Sequence, residues 1–216
     1  MKCIRCCGDG KDALGNPCTA CDAGKKLFVA SVSPWIPMQY QGNRYSASAL
    51  PLFMADWAKE MEEIRDSIIA RSDTKNYLIC SPYRTGKTVW AYDLLESLAQ
   101  TGYQVVAISD LLDIKRMMYS FKEDDVTLLS QIYSVPVLVV RVPMIVQHGI
   151  VETMQTLLYK RIGNNGQTIF LYSDSYYALA DNCGKKEAMN SLLGDGSLGS
   201  VKLKNYRRVK DDASQN

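Results

Sequence analysis

The stretch Asn76–Gln100, NYLICSPYRTGKTVWAYDLLESLAQ, predicts the fold of this chain. Its first apolar run, Tyr77–Cys80, has the length and composition of a β-strand. The turn Ser81–Thr88 follows, and the residues after it continue a helical pattern, with apolar side chains at Val89, Trp90, Leu94, Leu95 and Leu98. Gly-Lys-Thr between a strand and a helix is the context in which a Walker A sequence forms a phosphate-binding loop.

The predicted loop would bind phosphate at the start of the helix. Backbone N–H groups lack partners there and carry the positive end of the helix dipole. We expect Lys87 to reach the terminal phosphates and the Thr88 hydroxyl to hold a magnesium ion. Ser81 and Arg84 depart from the usual motif, since glycine there supplies positive φ and close backbone approach. An ordinary turn that contains Gly-Lys-Thr is the alternative interpretation.

Composition bounds the class of protein. The chain has 216 residues, of which 47% are hydrophobic, and a formal net charge of +2. This length allows one domain, or one domain and a small module, with a sizeable core. The charge balance does not by itself indicate a nucleic-acid-binding protein. We find no apolar stretch of membrane-spanning length and no signal-peptide pattern, so we predict a cytoplasmic protein without a membrane partner.

Five of the seven cysteines lie within the first 21 residues. Two C-x-x-C pairs, separated by eleven residues, have the spacing of a four-cysteine zinc knuckle. The predicted zinc ligands are Cys3, Cys6, Cys18 and Cys21, and Cys7 could replace Cys6. Four thiolates leave no open coordination position, which predicts a structural zinc ion. A pair of disulfides is the alternative, but a reducing compartment disfavours it.

The rest of the chain alternates strands with helices. We divide the sequence into a zinc knuckle over residues 1–30, a linker over 31–50, and a P-loop domain over 51–216 with a basic tail. An amphipathic helix is predicted from about Pro51 to Arg71, its apolar stripe packing on the domain; a partner-binding helix is the alternative. Further strands are predicted at Tyr103–Ser109, Val135–Val142 and Gln167–Ser173. This order predicts an α/β fold, in which helices cover both faces of a parallel sheet.

The C-terminal tail concentrates positive charge. Five cations and a tyrosine fall within residues 202–210. Such a patch can grip a nucleic-acid backbone and stack one base. The predicted nucleic-acid contacts are Lys202, Lys204, Tyr206, Arg207 and Arg208. A solvated tail is the alternative.

The order of these parts resembles the DnaC/DnaI-type replicative helicase loaders, including phage relatives, which are P-loop ATPases of the AAA+ class. The resemblance covers about residues 51–208 and rests on Ser81–Thr88 with Leu94-Leu95, Tyr103–Val106 leading into Ser109–Leu112, Val135–Val140 and Ile169–Ser173. It implies an AAA+-like P-loop domain. Members of the DnaI branch carry a cysteine-rich zinc module ahead of the ATPase, which fits Cys3–Cys21.

The sequence departs from the loader pattern where hydrolysis occurs. Loaders place Asp-Glu after the third strand, to hold the magnesium shell and orient the attacking water. Arg141 and Val142 stand in those positions. Residues 183–200 contain no arginine for the expected arginine finger, and Ser173 or Asp174 would be the sensor residue. We therefore expect little or no hydrolysis and uncertain magnesium use, with Arg141 contacting a phosphate directly.

The expected cofactors are thus zinc and ATP or ADP, with nucleotide contacts at Ser81, Arg84, Thr85, Gly86, Lys87, Thr88 and Arg141. The resemblance implies a DNA-replication accessory protein that recruits or loads a hexameric replicative helicase, with single-stranded DNA and further copies of itself as additional partners. Two alternatives stay open. One is a true ATPase, and the other is a nucleotide-dependent assembly platform or regulator for transposition or phage replication.

Overall fold

A computed structural model describes residues 36–40, 42–106, 108–144, 149–174, 179 and 198–202. The predicted zinc ligands Cys3, Cys6, Cys18 and Cys21, the alternative Cys7, and the tail residues Lys204, Tyr206, Arg207 and Arg208 lie outside these ranges. The zinc knuckle and the nucleic-acid contacts of the tail therefore stay predictions.

A five-stranded parallel sheet forms the centre of the domain. Its strands are Asn76–Cys80 (β1), Ser109–Asp110 (β2), Val137–Val142 (β3), Gln167–Tyr172 (β4) and Leu198–Lys202 (β5). They lie in the order β2-β3-β4-β1-β5, and every neighbouring pair is parallel. The prediction of an α/β fold with a parallel sheet is confirmed.

Helices cover both faces of this sheet. They are Ala55–Ile69 (α1), Lys87–Gln100 (α2), Leu111–Met118 (α3), Glu123–Ser134 (α4) and Ile150–Ile162 (α5), and short 3₁₀ turns span Met38–Tyr40, Ala47–Ala49 and Leu52–Met54. Alternate residues of β3 enter two separate cores. Val137 and Val139 pack in the core under α1 and α2, whereas Leu138 and Val140 pack in the core under α3 and α5. Both faces are thus apolar, as a sheet with two helical layers requires.

The apolar stripe of α1 packs inside the domain. Trp57, Met61, Ile64 and Ile68 are buried, and the indole N–H of Trp90 on α2 donates to the carbonyl oxygen of Met61 at 2.6 Å. The packing interpretation of this helix is therefore correct. The helix is shorter than predicted, because the chain forms a 3₁₀ turn at Leu52–Met54 before it begins.

Residues 36–40 and 42–50, which were predicted to be part of a linker, lie against α1 and α2; we call them the anchor segment. Ile36 and Tyr45 are buried in the core under these helices. The backbone N–H of Tyr45 donates to the Asp93 carboxylate at 3.1 Å, and that of Ala47 donates to Glu62 at 2.7 Å. The anchor segment therefore packs against the helices of the α/β domain. The division of the chain at residue 51 stays a prediction.

One predicted strand is wrong in extent. Tyr103–Ser109 was expected to be a full strand, but β2 contains only Ser109 and Asp110 and pairs with β3 alone at the sheet edge. Val105 and Val106 are buried in opposite cores. Their side chains alternate as in a strand, so the sequence pattern reflects two-sided burial and not ladder pairing.

Two elements were not predicted. In helix α4, Ile132 is the one fully buried residue, Leu129 and Tyr133 are partly buried against the core under α3 and α5, and Val126 and Leu128 are exposed. Strand β5 lies in a glycine-rich stretch that resembles a turn, yet its backbone pairs with β1 from Asn76 through Cys80. Lys202, a predicted nucleic-acid contact, is the last residue of this strand.

Candidate functional site at the phosphate loop

The predicted phosphate loop lies at a strand-to-helix corner. Ser81 follows β1, and α2 begins at Lys87. Gly86 has a φ of +83° and precedes the helix without a side-chain cap. Arg84 has a φ of +63°, so it adopts the left-handed conformation that glycine usually supplies, at a cost in backbone strain.

Lys87 is buried and turned back onto its own loop. Only 7% of the residue is exposed. Its ammonium donates to the carbonyl oxygens of Ser81 at 2.6 Å and Pro82 at 2.7 Å, and to the Ser81 hydroxyl at 3.0 Å, with Thr85 Oγ1 at 3.3 Å. All of these acceptors are neutral. Burial lowers the pKa of Lys87 from its ordinary value to about 8.

Two hydroxyl groups complete the loop. Ser81 and Thr85 are both buried, and their side-chain oxygens lie 2.7 Å apart. The Thr85 hydroxyl also donates to the carbonyl oxygen of Pro82 at 3.0 Å. Ser81, at the place of the usual first glycine, is therefore part of the lysine's immediate surroundings.

A cleft of about 580 Å³ opens over this loop. It is bordered by the carboxyl ends of several strands, which is where parallel α/β sheets bind ligands. Six of the seven predicted nucleotide contacts line it: Arg84, Thr85, Gly86, Lys87, Thr88 and Arg141. Ser81 is buried and is not among the residues that line the cleft. Ser173, one of the two candidate sensor residues, lines the cleft as well.

The charge of the cleft is positive. Arg84, Lys87 and Arg141 line it, and Asp110 is the single acidic residue among the described lining residues. Arg141 is the exposed residue of β3, whereas Val142 is buried. The end of β3 therefore offers no carboxylate for a magnesium shell.

Sequence reasoning missed Asp110 as a residue of the site. It ends β2, beside Arg141 of β3, and its carboxylate caps α3 by accepting the Leu112 N–H at 3.0 Å. A signal for it existed, because an acidic residue directly after a strand and before a helix lies at the carboxyl edge of the sheet.

Tyr40 of the anchor segment was missed too. It lines the cleft and stacks on Tyr92 of α2, with ring centroids 4.9 Å apart. No local sequence signal identified it, because its position depends on how residues 36–50 fold back across α2.

Metal and membrane features are absent from the described part of the chain. No group of three or more His, Cys, Asp or Glu side chains there has an arrangement that could hold a metal ion. Within the same ranges, no helix combines the length and apolar character needed to cross a bilayer.

Together, the strand order and the loop define a parallel α/β domain with a Gly-Lys-Thr corner between β1 and α2. No family model matches the chain, and no curated protein sequence matches it significantly. Solved structures do match. One titled as DnaI has a TM-score of 0.56 at 16% identity, covering 77% of this chain and 94% of that chain. One titled as the DnaC helicase loader has a TM-score of 0.54 at 14% identity, covering 78% and 100%.

AMPPCP-bound DnaA from Aquifex aeolicus also matches, with a TM-score of 0.53 at 15% identity, covering 75% of this chain and 51% of that chain. The chain thus has the fold of the DnaC-like AAA+ loaders, which confirms the resemblance at the level of fold.

Proposed function

We propose that this chain is a DNA-replication accessory protein that binds ATP or ADP in the cleft, hydrolyses it little or not at all, and recruits or loads a hexameric replicative helicase. One observation carries the nucleotide site: among the described residues, the hydrogen-bond acceptors of the buried Lys87 ammonium are all neutral oxygens. Buried charges in proteins are normally paired with an opposite charge. A helix N-terminus where a buried lysine meets no carboxylate in the described ranges is therefore suited to an anion.

The charges around the cleft favour a polyphosphate without a metal. Arg84, Lys87 and Arg141 supply three cations against the one carboxylate of Asp110. An arginine at the end of β3 would repel a divalent ion and can bind phosphate oxygens itself. The Thr88 hydroxyl, which lines the cleft, could still contribute to a magnesium site, but without an acidic partner on β3.

The same arrangement supports weak turnover. Phosphoryl transfer to water needs a positioned nucleophile and a stabilised leaving group. Buried Val142 cannot orient water, and Arg141 replaces the residue that would hold the metal shell. The nucleotide would thus set the state of the protein by its binding.

Helicase recruitment is supported by the fold shared with proteins titled as DnaI and as the DnaC helicase loader. In this proposal a zinc module built on Cys3, Cys6, Cys18 and Cys21 contacts the helicase. The basic residues from Lys202 to Arg208 contact single-stranded DNA, and further copies of the chain can associate.

A titration tests the nucleotide site. We expect ATP and ADP to bind the full chain in EDTA about as tightly as in magnesium. Lys87→Ala should weaken binding tenfold or more, since a hydrogen bond to a charged group contributes about 1.5–3 kcal/mol. Lys59→Ala, at an exposed position of α1, is the matched control. Binding that requires magnesium, or that survives Lys87→Ala unchanged, would contradict the proposal.

Phosphate release distinguishes an adaptor from a true ATPase. We expect no magnesium-dependent release by the wild-type protein. The double variant Arg141→Asp/Val142→Glu tests whether the missing acids explain this, and a gain of magnesium-dependent release is expected. Rapid release by the wild-type protein, abolished by Lys87→Ala, would establish the ATPase alternative.

Co-purification tests the partner. We expect a hexameric helicase to be retained by the wild-type chain and lost with Cys3→Ser or Cys18→Ser, and metal analysis should give one zinc ion per chain. Retention of a transposase instead would favour the assembly-platform alternative.

A further inference from the structure

The hydrogen bonds of Lys87 use its full capacity. An ammonium group has three protons. The three shortest contacts, to the carbonyl oxygens of Ser81 and Pro82 and to the Ser81 hydroxyl, account for all of them. No proton of Lys87 is left for a phosphate oxygen in this arrangement, so a ligand must displace at least one of these acceptors.

Of these three acceptors, only the Ser81 hydroxyl belongs to a side chain, and the directions of the neighbouring hydrogen bonds show how it is oriented. Because Thr85 donates to the carbonyl oxygen of Pro82, its own oxygen is free to accept. The Ser81 hydroxyl then donates to Thr85 Oγ1 at 2.7 Å. This leaves the lone pairs of Ser81 Oγ facing the ammonium of Lys87 at 3.0 Å. A glycine at residue 81 would retain the carbonyl contact but not this one.

We propose that the Ser81 hydroxyl is a positioning group that holds Lys87 in a withdrawn state and so lowers the affinity of the cleft for polyphosphates. The inference rests on the proposed nucleotide site and concerns how its affinity is set. The hydroxyl pair of Ser81 and Thr85 stabilises the Lys87 ammonium. The end of β3 cannot do so, because it presents Arg141 and no carboxylate. Binding of a nucleotide exchanges the Ser81 contact for phosphate oxygens.

Replacing Ser81 tests this directly. Ser81→Ala should bind ATP about tenfold more tightly than wild type. The substitution removes a hydrogen bond to a charged group that stabilises only the unliganded protein. Ser81→Gly, which restores the usual motif residue, should also bind more tightly. Ser81→Thr keeps the hydroxyl and should bind like wild type. Urea unfolding of each variant checks that the fold is retained.

A pH profile separates positioning from a purely structural role. The Ser81 hydroxyl stabilises the charged form of Lys87, so its removal should lower the pKa of Lys87 in the free protein. The pH above which ATP affinity declines should then shift downward in Ser81→Ala and stay near the wild-type value in Ser81→Thr.

The outcomes are distinguishable. ATP binding by wild type with equal or weaker binding by Ser81→Ala and Ser81→Gly would overturn the inference and leave the nucleotide site standing. Weaker binding would show that the hydroxyl contacts phosphate. Absence of ATP binding in wild type and all three variants would overturn the proposed function, and this inference with it.

Discussion

The ring of Tyr45 covers Gly86. A Cβ atom added at residue 86 would lie 3.1 Å from Tyr45 Cε2, and Gly86 has a φ of +83°. The last residue of the phosphate loop is therefore constrained twice, by backbone conformation and by the anchor segment packed over it.

Gly86→Ala should damage both stability and the site. The positive φ and the close approach of Tyr45 predict a loss of about 1–3 kcal/mol in the free energy of unfolding, with loss of nucleotide binding. The measurement is urea unfolding together with an ATP titration. Gly163→Ala is the control, because Gly163 has a φ of −59° and its added Cβ would meet ordinary contacts of 3.7 Å. Equal losses of unfolding free energy in Gly86→Ala and Gly163→Ala would show that residue 86 has no special requirement for glycine.

Asp93→Asn should loosen the anchor segment. The buried carboxylate of Asp93 accepts from Arg65 at 2.6 Å, from Arg44 at 2.7 Å and from the Tyr45 N–H. The substitution removes the charge that Arg65 and Arg44 share and leaves mostly buried Arg65 with the exposed carboxylate of Asp66 as its ion-pair partner. We expect urea unfolding to show a loss of about 1–3 kcal/mol in the free energy of unfolding.

Glu63→Gln is the control for that substitution. Glu63 pairs with Lys59 at 3.9 Å, and both side chains are exposed. Such pairs contribute little, so a change under about 0.5 kcal/mol is expected. A comparable effect of the two substitutions would show that the Asp93 cluster does not stabilise the fold.

Arg161→Met should destabilise the fold where the segment before β3 meets the start of β4. The guanidinium is fully buried and donates to Thr168 Oγ1 and to three carbonyl oxygens, those of Ile132, Val135 and Gln167. Methionine fills the space but leaves these buried carbonyls without the donor, so a loss of about 1–3 kcal/mol is expected in urea unfolding. Lys160→Met, at the exposed neighbouring position, should change little. Similar midpoints for the two variants would contradict this role.

Lys87 should give the stability of the free protein an unusual pH dependence. Burial lowers the pKa of Lys87 to about 8 from its ordinary value of 10.5, so between these values the unfolded chain binds more protons than the folded one. Stability relative to Lys87→Met should therefore rise as the pH increases from 8 to 10.5, by at most about 3 kcal/mol. Paired urea titrations across this range measure it. A constant or falling difference would contradict the burial of a charged Lys87.

Much of the fold could be predicted because most of its elements have a strong local pattern. The apolar runs of β1, β3 and β4 and the stripe of α1 identify buried surfaces directly. Helix α4 was not predicted. Ile132 is its one fully buried residue, while Leu129 and Tyr133 are only partly buried and Val126 and Leu128 are exposed. Strand β5 could not be predicted either. It is a strand because the free edge of β1 pairs with it, which depends on tertiary position and not on its own composition.

The residues of the cleft that local sequence motifs identify were predicted. Arg84, Thr85, Gly86, Lys87 and Thr88 are contiguous, and Arg141 was found from its place after an apolar strand. Asp110 and Tyr40 required knowledge of which strand ends adjoin and how residues 36–50 return across α2. Their contribution arises from chain segments far apart in sequence. Whether these residues bind nucleotide stays a prediction, which the titrations above address.

The anchor segment also has a mechanical consequence. Arg44 is joined to Asp93, Ser97 and Gln100, and the N–H of Gly42 donates to Glu96, so the segment is fastened along the helix that starts at Lys87. A force that pulls on the chain preceding Ile36 would therefore act on α2 through these hydrogen bonds. A force on the N-terminal part of the chain and a ligand in the cleft would then act on the same helix, one along its side and the other at its N-terminus.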